Sequence, residues 1–387
     1  MKILWLCGLP KSIQEEVLNG KNYGAGATWS WVVGHLPPPK EVDLHIACPV
    51  TKGPWKNQSF HYKGATFHLI RVIPGRRQTA YIFDPFYMIP LKIKLNPDII
   101  HGWGTESSFS LTAQLISKNK HIVQVQGLVN AYLKYLEDWP GKKWIAYQER
   151  RTLIKAKHVF VEGEYSKEIT LPLCGQKTKI HIVDHPLRSD FLKGSISSKR
   201  LKNIVYIGSI CDRKGYLDAI EAFKISHLKD WKLIMFGGGN IEDECLLKNA
   251  IVDNNMVDSI TWHKSAGPDK IVEYMKSSAV FMLPTSMDTG PTALKEALAM
   301  GLWPIVYDNT GPRELLKRFN YGWSAPTGNR KELANLLVKA DIERPWEDHN
   351  RMENLVNEVR NALSSQKIWD DLIKIYTNIS RDNKTTE

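Results

Sequence analysis

The stretch AVFMLPTSMDTGPTALKEALAMG, residues 279–301, contains an apolar run, a polar loop and a helical pattern in succession. The run AVFMLPT is typical of a buried strand, and Pro284 ends it. A helix is predicted to begin with Pro291 at its first position, where the missing N–H costs nothing, and to end at Gly301 in a left-handed cap. A strand that leads through a loop into a helix is the unit from which doubly wound α/β folds are built.

The same unit repeats along nearly the whole chain. Apolar runs such as KILWLC, DIIHGW, NIVYIGS and WPIVYDN alternate with helical patterns such as KKWIAYQERRTLIKAK and YLDAIEAFKIS. This alternation predicts an α/β fold of two Rossmann-like, doubly wound domains, with their parallel sheets covered on both faces. The polar, basic stretch LRSDFLKGSISSKRLKN separates residues 1–192 from residues 193–365, and a last helix at 366–387 could pack back on the first domain. Ligands are expected at the carboxyl ends of the strands, in a cleft between the domains.

Composition narrows the class of protein. The 387 residues are 43% hydrophobic and 24% charged, with a net charge of +11, as in a globular protein. The start, MKILWLCGLP, is interpreted as a first buried strand rather than a signal peptide. Five widely spaced cysteines predict neither a disulfide framework nor a zinc site and favour a reducing cytosol. The positive charge is compatible with a solvated surface, phosphate-bearing substrates or an anionic membrane, whereas no nucleic-acid-binding signature accompanies it.

The start of the helix at Pro291 predicts a phosphate site. The free amides around Thr292 form the positive end of a helix dipole, and Gly290 lets a ligand approach closely. Asp288 precedes the helix and Glu296 lies just over one turn inside it, so each acid could take hydroxyls on one side of a diphosphate. The spacing alone leaves open that Asp288 is a turn residue and Glu296 a surface charge.

Motifs across residues 208–314 resemble the family 4 retaining glycosyltransferases, the glycogen-synthase-like, group 1 proteins with the GT-B fold. DTGPTALKEALAMGLWPIV is similar to the family's E-G-x-P-x-x-x-x-E-A-M-A-x-G-x-P-V run, with Asp288 in place of the first Glu. VYIGSICDRKGYLDAIEAF and YDNTGPREL resemble two further family segments. The resemblance implies two domains that face each other across a cleft and an enzyme that transfers a sugar.

Roles for individual residues follow from the resemblance. Lys214 matches the lysine that neutralises the diphosphate, Asp288 the residue that contacts the donor sugar, and Glu296 the residue that takes the ribose hydroxyls. The family's arginine after Gly208 is replaced by Ser209, so Arg213 is expected to substitute for it. These four side chains, Lys214, Arg213, Asp288 and Glu296, are the predicted catalytic set.

Further residues are assigned to the donor nucleotide, beginning with Gly208 and Ser209. Gly237, in FGGGN, matches the family's glycine-rich turn, and the Thr289-Gly290-Pro291-Thr292 stretch lies at the predicted phosphate site. His263 and Lys264 lie where family members pass the nucleotide base, although core or surface roles stay open for both.

The first half resembles the family less closely. NYGAGATWSWVVGHL is similar to the loop after the first strand, where Gly24 and Gly26 would let the backbone approach the donor. His101 is expected at the end of a strand near the acceptor. Gln126 stands where many members have a histidine; it can bind a sugar but cannot relay a proton.

The resemblance implies transfer from a nucleotide sugar, with a UDP-sugar expected, to a glycan or lipid-linked acceptor, without a metal or other cofactor. Polysaccharide or glycoconjugate synthesis in the cytoplasm, at the inner face of the plasma membrane, is the implied setting. The basic helix KKWIAYQERRTLIKAK could face that membrane or pack within its own domain. Alternatives are a non-catalytic, two-lobed sugar-binding protein and another GT-B enzyme, such as a nucleotide-sugar epimerase or a phosphorylase.

Overall fold

The computed structural model of the protein describes residues 1–18, 32, 35–53, 57–76, 79, 81–117, 119–135 and 141–384. The chain forms two compact units. The first comprises Met1–Pro186 together with Ser365–Glu387, and the second comprises Leu187–Ser364. Each unit has its own sheet, as the alternation of strands and helices predicts. Within the described ranges, no helix is long and apolar enough to cross a membrane.

The first unit is built on a sheet of eight strands, ordered β3-β4-β2-β1-β5-β6-β7-β8. Neighbouring strands are parallel, and the central ones are buried on both faces, which explains their continuous apolar sequences. The strands are β1 Lys2–Leu6, β2 Asp43–Val50, β3 Gln58–Tyr62, β4 Ala65–Arg71, β5 Ile99–Trp103, β6 His121–Gln124, β7 His158–Val161 and β8 Lys179–Ile182.

The edge strand β3 is an exception that the sequence analysis does not predict. It pairs antiparallel with β4, and the two strands are joined by a two-residue turn at Lys63 and Gly64. Both turn residues have positive φ, 47° and 83°, as a tight hairpin requires. The polar sequence QSFHY lacks the apolar run that marks the other strands, so the hydrophobic pattern does not predict a strand there.

Helices cover both faces of this sheet. In chain order the described ones are α1 Lys11–Glu16, α2 Asp84–Leu95, α3 Phe109–Ile116, α4 Val129–Tyr132, α5 Lys142–Lys155 and α6 Glu164–Thr170, with short 3-10 turns at Leu133–Tyr135 and Leu171–Leu173. The predicted glycine-rich loop with Gly24 and Gly26 lies outside the described residues.

The second unit contains a six-stranded, entirely parallel sheet, ordered β11-β10-β9-β12-β13-β14. Its strands are β9 Leu201–Ile207, β10 Lys232–Phe236, β11 Ile260–His263, β12 Ser278–Leu283, β13 Trp303–Tyr307 and β14 Trp323–Ala325. Its helices are α7 Ser189–Lys193, α8 Tyr216–Ser226, α9 Ile241–Asp253, α10 Pro268–Ser277, α11 Thr292–Ala299, α12 Thr310–Phe319, α13 Arg330–Glu343 and α14 His349–Ala362, with 3-10 turns at Asp212–Lys214 and Pro345–Glu347.

The units divide earlier in the chain than the predicted boundary at residue 192. Leu187 N–H donates to Leu363 O across 2.9 Å, and Phe191 is buried in the core of the second unit. Residues 187–192 therefore belong to the second unit. The polar stretch that suggested the boundary begins there, but its apolar members already pack against the helices that follow.

The last helix, α15 Ser365–Lys384, belongs to the first unit. Trp369 stacks on Trp5 of the central strand, with ring centroids 5.5 Å apart and planes 5° from parallel. Tyr376 accepts a hydrogen bond from Trp5 Nε1 at 3.3 Å. Residues from the two ends of the chain thus complete one core.

Truncation of the Trp369 side chain should destabilise the first unit. Trp369 is almost fully buried, so Trp369→Ala removes a large apolar surface and leaves a cavity. We expect a loss of about 3–5 kcal/mol in the free energy of unfolding, measured by urea denaturation. Lys374→Ala, at an exposed position of the same helix, is the control and should change stability by less than about 0.5 kcal/mol. Equal effects of the two substitutions would mean that the Trp5–Trp369 stack does not anchor the helix.

Candidate active site

Lys214 and Asp288, separated by 74 residues in the sequence, form an ion pair in the second unit. Lys214 ends the 3-10 turn Asp212–Lys214 after β9, and Asp288 lies in the loop after the neighbouring strand β12. Lys214 Nζ donates to Asp288 Oδ2, and both side chains are largely buried. The structure thus brings together the residue predicted to neutralise the diphosphate and the residue predicted to contact the donor sugar.

Gly215 makes this approach possible. Its φ is +68°, and a Cβ at this position would lie 2.0 Å from Pro284 O. A side chain at residue 215 would push the turn that carries Lys214 away from the loop that carries Asp288.

Arg213 is held against the same loop. Its Nη1 donates to Met287 O at 2.6 Å, and its own carbonyl accepts from Thr285 Oγ1 and Ser286 N–H, at 3.0 and 2.9 Å. Ser209, at the position of the family's missing arginine, is exposed. Arg213 therefore positions the loop of residues 285–287, and its predicted substitution for the missing arginine stays a prediction.

The predicted helix start is nearly correct. The helix runs from Thr292 to Ala299, and Pro291 is its N-cap with a ψ of 88°, so it precedes the first helical residue rather than occupying it. Leu294 and Lys295 donate to Pro291 O, while the amides of Thr292 and Ala293 belong to the first turn, which has no intrahelical acceptors. Gly301 has the predicted left-handed conformation, with a φ of +70°.

The loop before this helix is fixed by its neighbours. Gly290 N–H donates to Asp288 Oδ1 at 3.4 Å, and Asp288 N–H donates to Thr310 Oγ1 at 3.2 Å. Gly311 N–H donates to Asp288 O at 2.9 Å. Thr289 is buried between them. Hydrogen bonds within the loop and to the start of α12 therefore hold the loop in place, and the free amides of α11 lie at its end.

Glu296 lies deeper than a surface helix charge, because its relative exposure is 1%. Its Oε1 accepts from Arg188 Nε at 2.9 Å and Nη2 at 2.8 Å. Burial raises the pKa of Glu296, and the Arg188 guanidinium partly offsets this effect. Arg188 is a residue that the sequence analysis missed; it stands at the N-cap of α7, in the stretch interpreted as a linker.

The nucleotide-assigned residues follow the neighbouring strands. Gly208 follows β9, and Gly237 follows β10 with a φ of +139°; a Cβ on Gly237 would lie 1.9 Å from Gly208 O. His263 ends β11 and stacks on Phe236, with ring centroids 5.1 Å apart. Lys264 Nζ pairs with Glu244 Oε2 at 2.7 Å. All of them lie at the carboxyl edge of the same parallel sheet as Lys214 and Asp288.

The two predicted acceptor residues of the first unit, His101 and Gln126, differ in how deeply they are buried. His101 is fully buried inside β5 rather than at its end, because the strand continues to Trp103. Its Nδ1 pairs with the Tyr376 hydroxyl at 2.6 Å, and its Nε2 with Gln124 Oε1 at 3.2 Å. Burial lowers the pKa of His101 to about 3. His101 is thus a core residue, which corrects the expectation that it ends the strand.

Gln126 follows β6 and is half-buried. Its Nε2 lies 3.1 Å from His185 Nε2, and His185 Nδ1 lies 3.4 Å from Glu162 Oε2. Its polar contacts join two loops at the carboxyl edge of the first sheet. Its predicted role at a sugar hydroxyl stays a prediction.

A cluster of buried polar atoms near Gln126 was missed by the sequence analysis. Within the described part of the chain, five buried atoms at the end of β5, in the loop after it and at the end of β6 have no hydrogen-bond partner: Trp103 Nε1, Glu106 Oε1 and Oε2, Ser107 Oγ and Gln124 Nε2. Buried polar groups are normally satisfied, so such a group of them calls for an explanation. The signal in the sequence is the polar run GTESS directly after a buried strand. We call these four residues the polar cluster.

Within the polar cluster, the Glu106 carboxyl group has a strongly raised pKa. Burial, together with a smaller effect of the nearby Glu149 charge, raises the pKa of Glu106 to about 8, against the opposing effect of nearby backbone amides. Glu149 is itself buried and fully engaged, since it accepts from the Thr105 hydroxyl at 2.6 Å and from the amides of Val129 and Asn130 at 3.0 and 2.8 Å. A carboxyl group with its pKa raised in this way favours the protonated form, which can donate a hydrogen bond.

No group of three or more His, Cys, Asp or Glu side chains that could hold a metal ion occurs among the residues the structure describes.

Two glycosyltransferase family models match the chain. The model described as glycosyl transferases group 1 matches residues 189–373, and the model described as glycosyltransferase family 4 matches residues 36–190. The chain belongs to the group 1 glycosyltransferases. The family identified from the motifs around Asp288 and Lys214 is confirmed, and so is a transferase as the class of enzyme.

Curated relatives carry related names. CapM, a capsular polysaccharide biosynthesis glycosyltransferase of Staphylococcus aureus, is 22% identical over 377 residues, which cover 89% of this chain and 92% of that protein. AmsK, an amylovoran biosynthesis glycosyltransferase of Erwinia amylovora, is 29% identical over 144 residues. That match covers 35% of each chain, and the match to an uncharacterized glycosyltransferase of Haemophilus influenzae covers 51% of the latter.

Solved structures share the fold. Sucrose-phosphate synthase from Thermosynechococcus elongatus superposes with a TM-score of 0.76 over 98% of this chain and 99% of that chain, at 14% identity. HepE of Anabaena, solved with UDP and glucose, superposes with a TM-score of 0.73 over 98% and 100% of the two chains, at 12% identity. The predicted GT-B fold of this group 1 glycosyltransferase is thereby confirmed.

Replacement of Glu106 by Gln should change how stability depends on pH. The pKa of Glu106 is about 8 in the folded protein and 4.5 for an unperturbed Glu, so between these values the folded state binds one more proton. The free energy of unfolding therefore falls as the pH rises through this window, by at most about 1.4 kcal/mol per pH unit from this group. Gln does not ionise, so Glu106→Gln should lose less stability than the wild type in urea denaturation across the window.

The exposed Glu168 provides the control. Glu168→Gln should follow the wild-type pH profile. Wild type and Glu106→Gln with parallel profiles would show that Glu106 is already ionised in the folded protein. Glu149, whose pKa burial also raises, keeps its own contribution in both variants.

Proposed function

We propose that this glycosyltransferase moves a sugar from a nucleoside-diphosphate sugar, a UDP-sugar, to a glycan or lipid-linked acceptor, with retention at the anomeric carbon and without a metal ion. Its setting would be the synthesis of a surface polysaccharide or glycoconjugate. The names of CapM and AmsK, both polysaccharide glycosyltransferases, support that setting.

The placement of Lys214 beside Asp288, at the amino end of helix α11, carries the proposal. A diphosphate at this position would meet one full positive charge from Lys214 and the partial positive charge of the helix amides of Thr292 and Ala293. In an environment that excludes most water, fixed positive groups of this kind stabilise the charge that develops on a leaving diphosphate. Such an arrangement supplies what a divalent metal supplies in other enzymes.

The proposed sugar transfer needs no added co-reactant. The bond between the anomeric carbon and the diphosphate oxygen breaks, and the electron pair stays on the diphosphate. An acceptor hydroxyl oxygen forms the new bond on the same face of the sugar, and its proton passes to the departing phosphate oxygen. Asp288 would accept hydrogen bonds from sugar hydroxyls while it shares Lys214 with the phosphate, and Glu296 would accept from the ribose.

The acceptor would be bound by the first unit. The polar cluster lies at the carboxyl edge of its sheet, where a parallel fold places ligands. Gln126 and the protonated Glu106 would exchange hydrogen bonds with acceptor hydroxyls, and Glu106 would thereby gain partners for carboxyl oxygens that lack them in the described part of the chain. A cytoplasmic location with peripheral contact to the inner face of the plasma membrane fits an acceptor that is linked to a lipid.

A donor screen tests the proposed donor class. Thermal stability would be measured with a panel of nucleotide sugars, because a ligand that binds the folded state stabilises it. Release of the nucleoside diphosphate would then be followed with the stabilising donor. Stabilisation by free sugars, without stabilisation by UDP and without its release, would contradict the proposed donor.

Removal of the charge of Lys214 should impair turnover. Lys214→Gln keeps a side chain that can hydrogen-bond to Asp288 but loses the positive charge at the diphosphate. We expect kcat/KM for UDP release to fall about 100- to 1,000-fold, with thermal stability measured in parallel.

Lys331→Gln is the matched control, because Lys331 is an exposed lysine of α13 in the same unit. Its kcat/KM should stay within about twofold of the wild-type value. If Lys214→Gln is folded and as active as this control, the diphosphate is not bound at Lys214.

A further inference from the structure

Three helices of the first unit form one outer layer on one face of its sheet. Helices α2 and α3 pack on Leu4 and Ile100, and α5 packs on Val123. The strand register places these three residues on the same face, because Leu4 pairs with Ile100 and Gly102, two residues further along β5, pairs with Val123. Helix α3 lies between the other two and contacts both.

The outer surface of this layer is unusually apolar. Phe86 and Ile93 of α2 are 69% and 68% exposed, and Trp144 and Tyr147 of α5 are each 49% exposed. Trp144 and Tyr147 stack on each other with ring centroids 5.3 Å apart. Further exposed apolar side chains of the layer are Ile82, Phe83, Ile89 and Leu115. Exposed patches of this kind mark an interaction surface.

The exposed charged side chains of the three helices are all basic. Its exposed charged side chains are Lys94, Lys143, Arg150, Arg151 and Lys155. The sequences of α2, α3 and α5 contain two acids, Asp84 and Glu149, and both are buried. Asp84 is engaged with Arg76, and Glu149 accepts backbone amides. Within α2, α3 and α5, the exposed charged side chains are therefore all positive.

We infer that this layer, named here the basic–aromatic face, binds the surface of an anionic lipid bilayer. Tryptophan and tyrosine rings favour the boundary between lipid headgroups and acyl chains, and lysine and arginine side chains are attracted by anionic headgroups. A helix that lies in this boundary needs apolar side chains beside basic ones, which α2 and α5 together provide. A protein partner would be expected to meet some exposed acid on this surface, and none is present in the three helices.

The inference deepens the proposed function, because it names the surface through which a lipid-linked acceptor would be reached. It extends the predicted contact from α5 to α2, a helix that the sequence analysis does not single out. Its test requires no turnover, so its failure and the failure of the proposed donor chemistry are distinguishable.

The experiment is co-sedimentation of the full chain with vesicles. Vesicles of phosphatidylcholine alone are compared with vesicles of equal parts phosphatidylcholine and phosphatidylglycerol, at low and high salt. The wild type should sediment with the anionic vesicles and much less with the neutral ones, and salt should weaken the binding. Absence of sedimentation with anionic vesicles at low salt would overturn the inference.

Two double variants separate the contributions. Phe86→Ser with Ile93→Ser removes apolar side chains, and Arg150→Gln with Arg151→Gln removes charge. Each should lower the partition coefficient on anionic vesicles by about tenfold or more. Thermal unfolding should match the wild type, because all four side chains are exposed.

The matched control lies in the other unit. Ile241 and Ile342 are 84% and 76% exposed, so Ile241→Ser with Ile342→Ser removes comparable apolar surface outside the basic–aromatic face. This variant should bind vesicles like the wild type. Loss of binding by this control, as strong as that of the Phe86 and Ile93 variant, would show that the surface is not a membrane-docking site. The same conclusion would follow if the Phe86 and Ile93 variant kept its vesicle binding and instead converted a dimer to a monomer in sedimentation velocity without lipid.

Discussion

The parallel pairing of β9 with its neighbours β10 and β12 is the constraint on which the donor end of the second unit depends. The register aligns Ile207 with Phe236, so the turns after these strands begin at the same level of the sheet. The turns then approach one another more closely than side chains permit. Gly237 meets the carbonyl of Gly208, and Gly215 meets that of Pro284, at distances that leave no room for a Cβ. This approach is what places Lys214 against Asp288.

Asp288 and Glu296, the two acids of the stretch 279–301, are each paired with a basic side chain. Lys214 neutralises Asp288, and Arg188 neutralises Glu296. A buried charge without a partner is costly, so these ion pairs keep both acids satisfied. They also set a condition for binding, because a ligand has to offer each acid a replacement. Sugar and ribose hydroxyls can donate to the acids, and a diphosphate can accept from the released cations, so a nucleotide sugar meets the condition for both pairs at once.

The second unit could be predicted in more detail than the first because its strands and motifs are local. A buried strand, its loop and the next helix lie within about thirty residues of sequence, as from Val280 to Gly301, and periodicity reveals them. The polar cluster and the Arg188–Glu296 pair depend on contacts between distant segments, which periodicity does not encode. The amphipathic pattern of α15 indicates a packed face, but its partner, Trp5, is more than three hundred and fifty residues away. His101 was misplaced because an apolar run does not mark where a strand ends.

The buried carboxylate of Asp84 links the start of α2 to the loop that carries Glu106 and Ser107 of the polar cluster. Asp84, the first residue of α2, accepts from Arg76 in the loop after β4 and from Ser108 in the loop after β5. Ser108 directly follows Glu106 and Ser107 in the sequence. A parallel sheet places both loops at its carboxyl edge, so the start of α2 is fixed relative to the polar cluster. A bilayer on the outer surface of α2 would therefore lie at a defined position relative to the groups proposed to receive the acceptor, and an acceptor held in the bilayer would need little freedom to reach them.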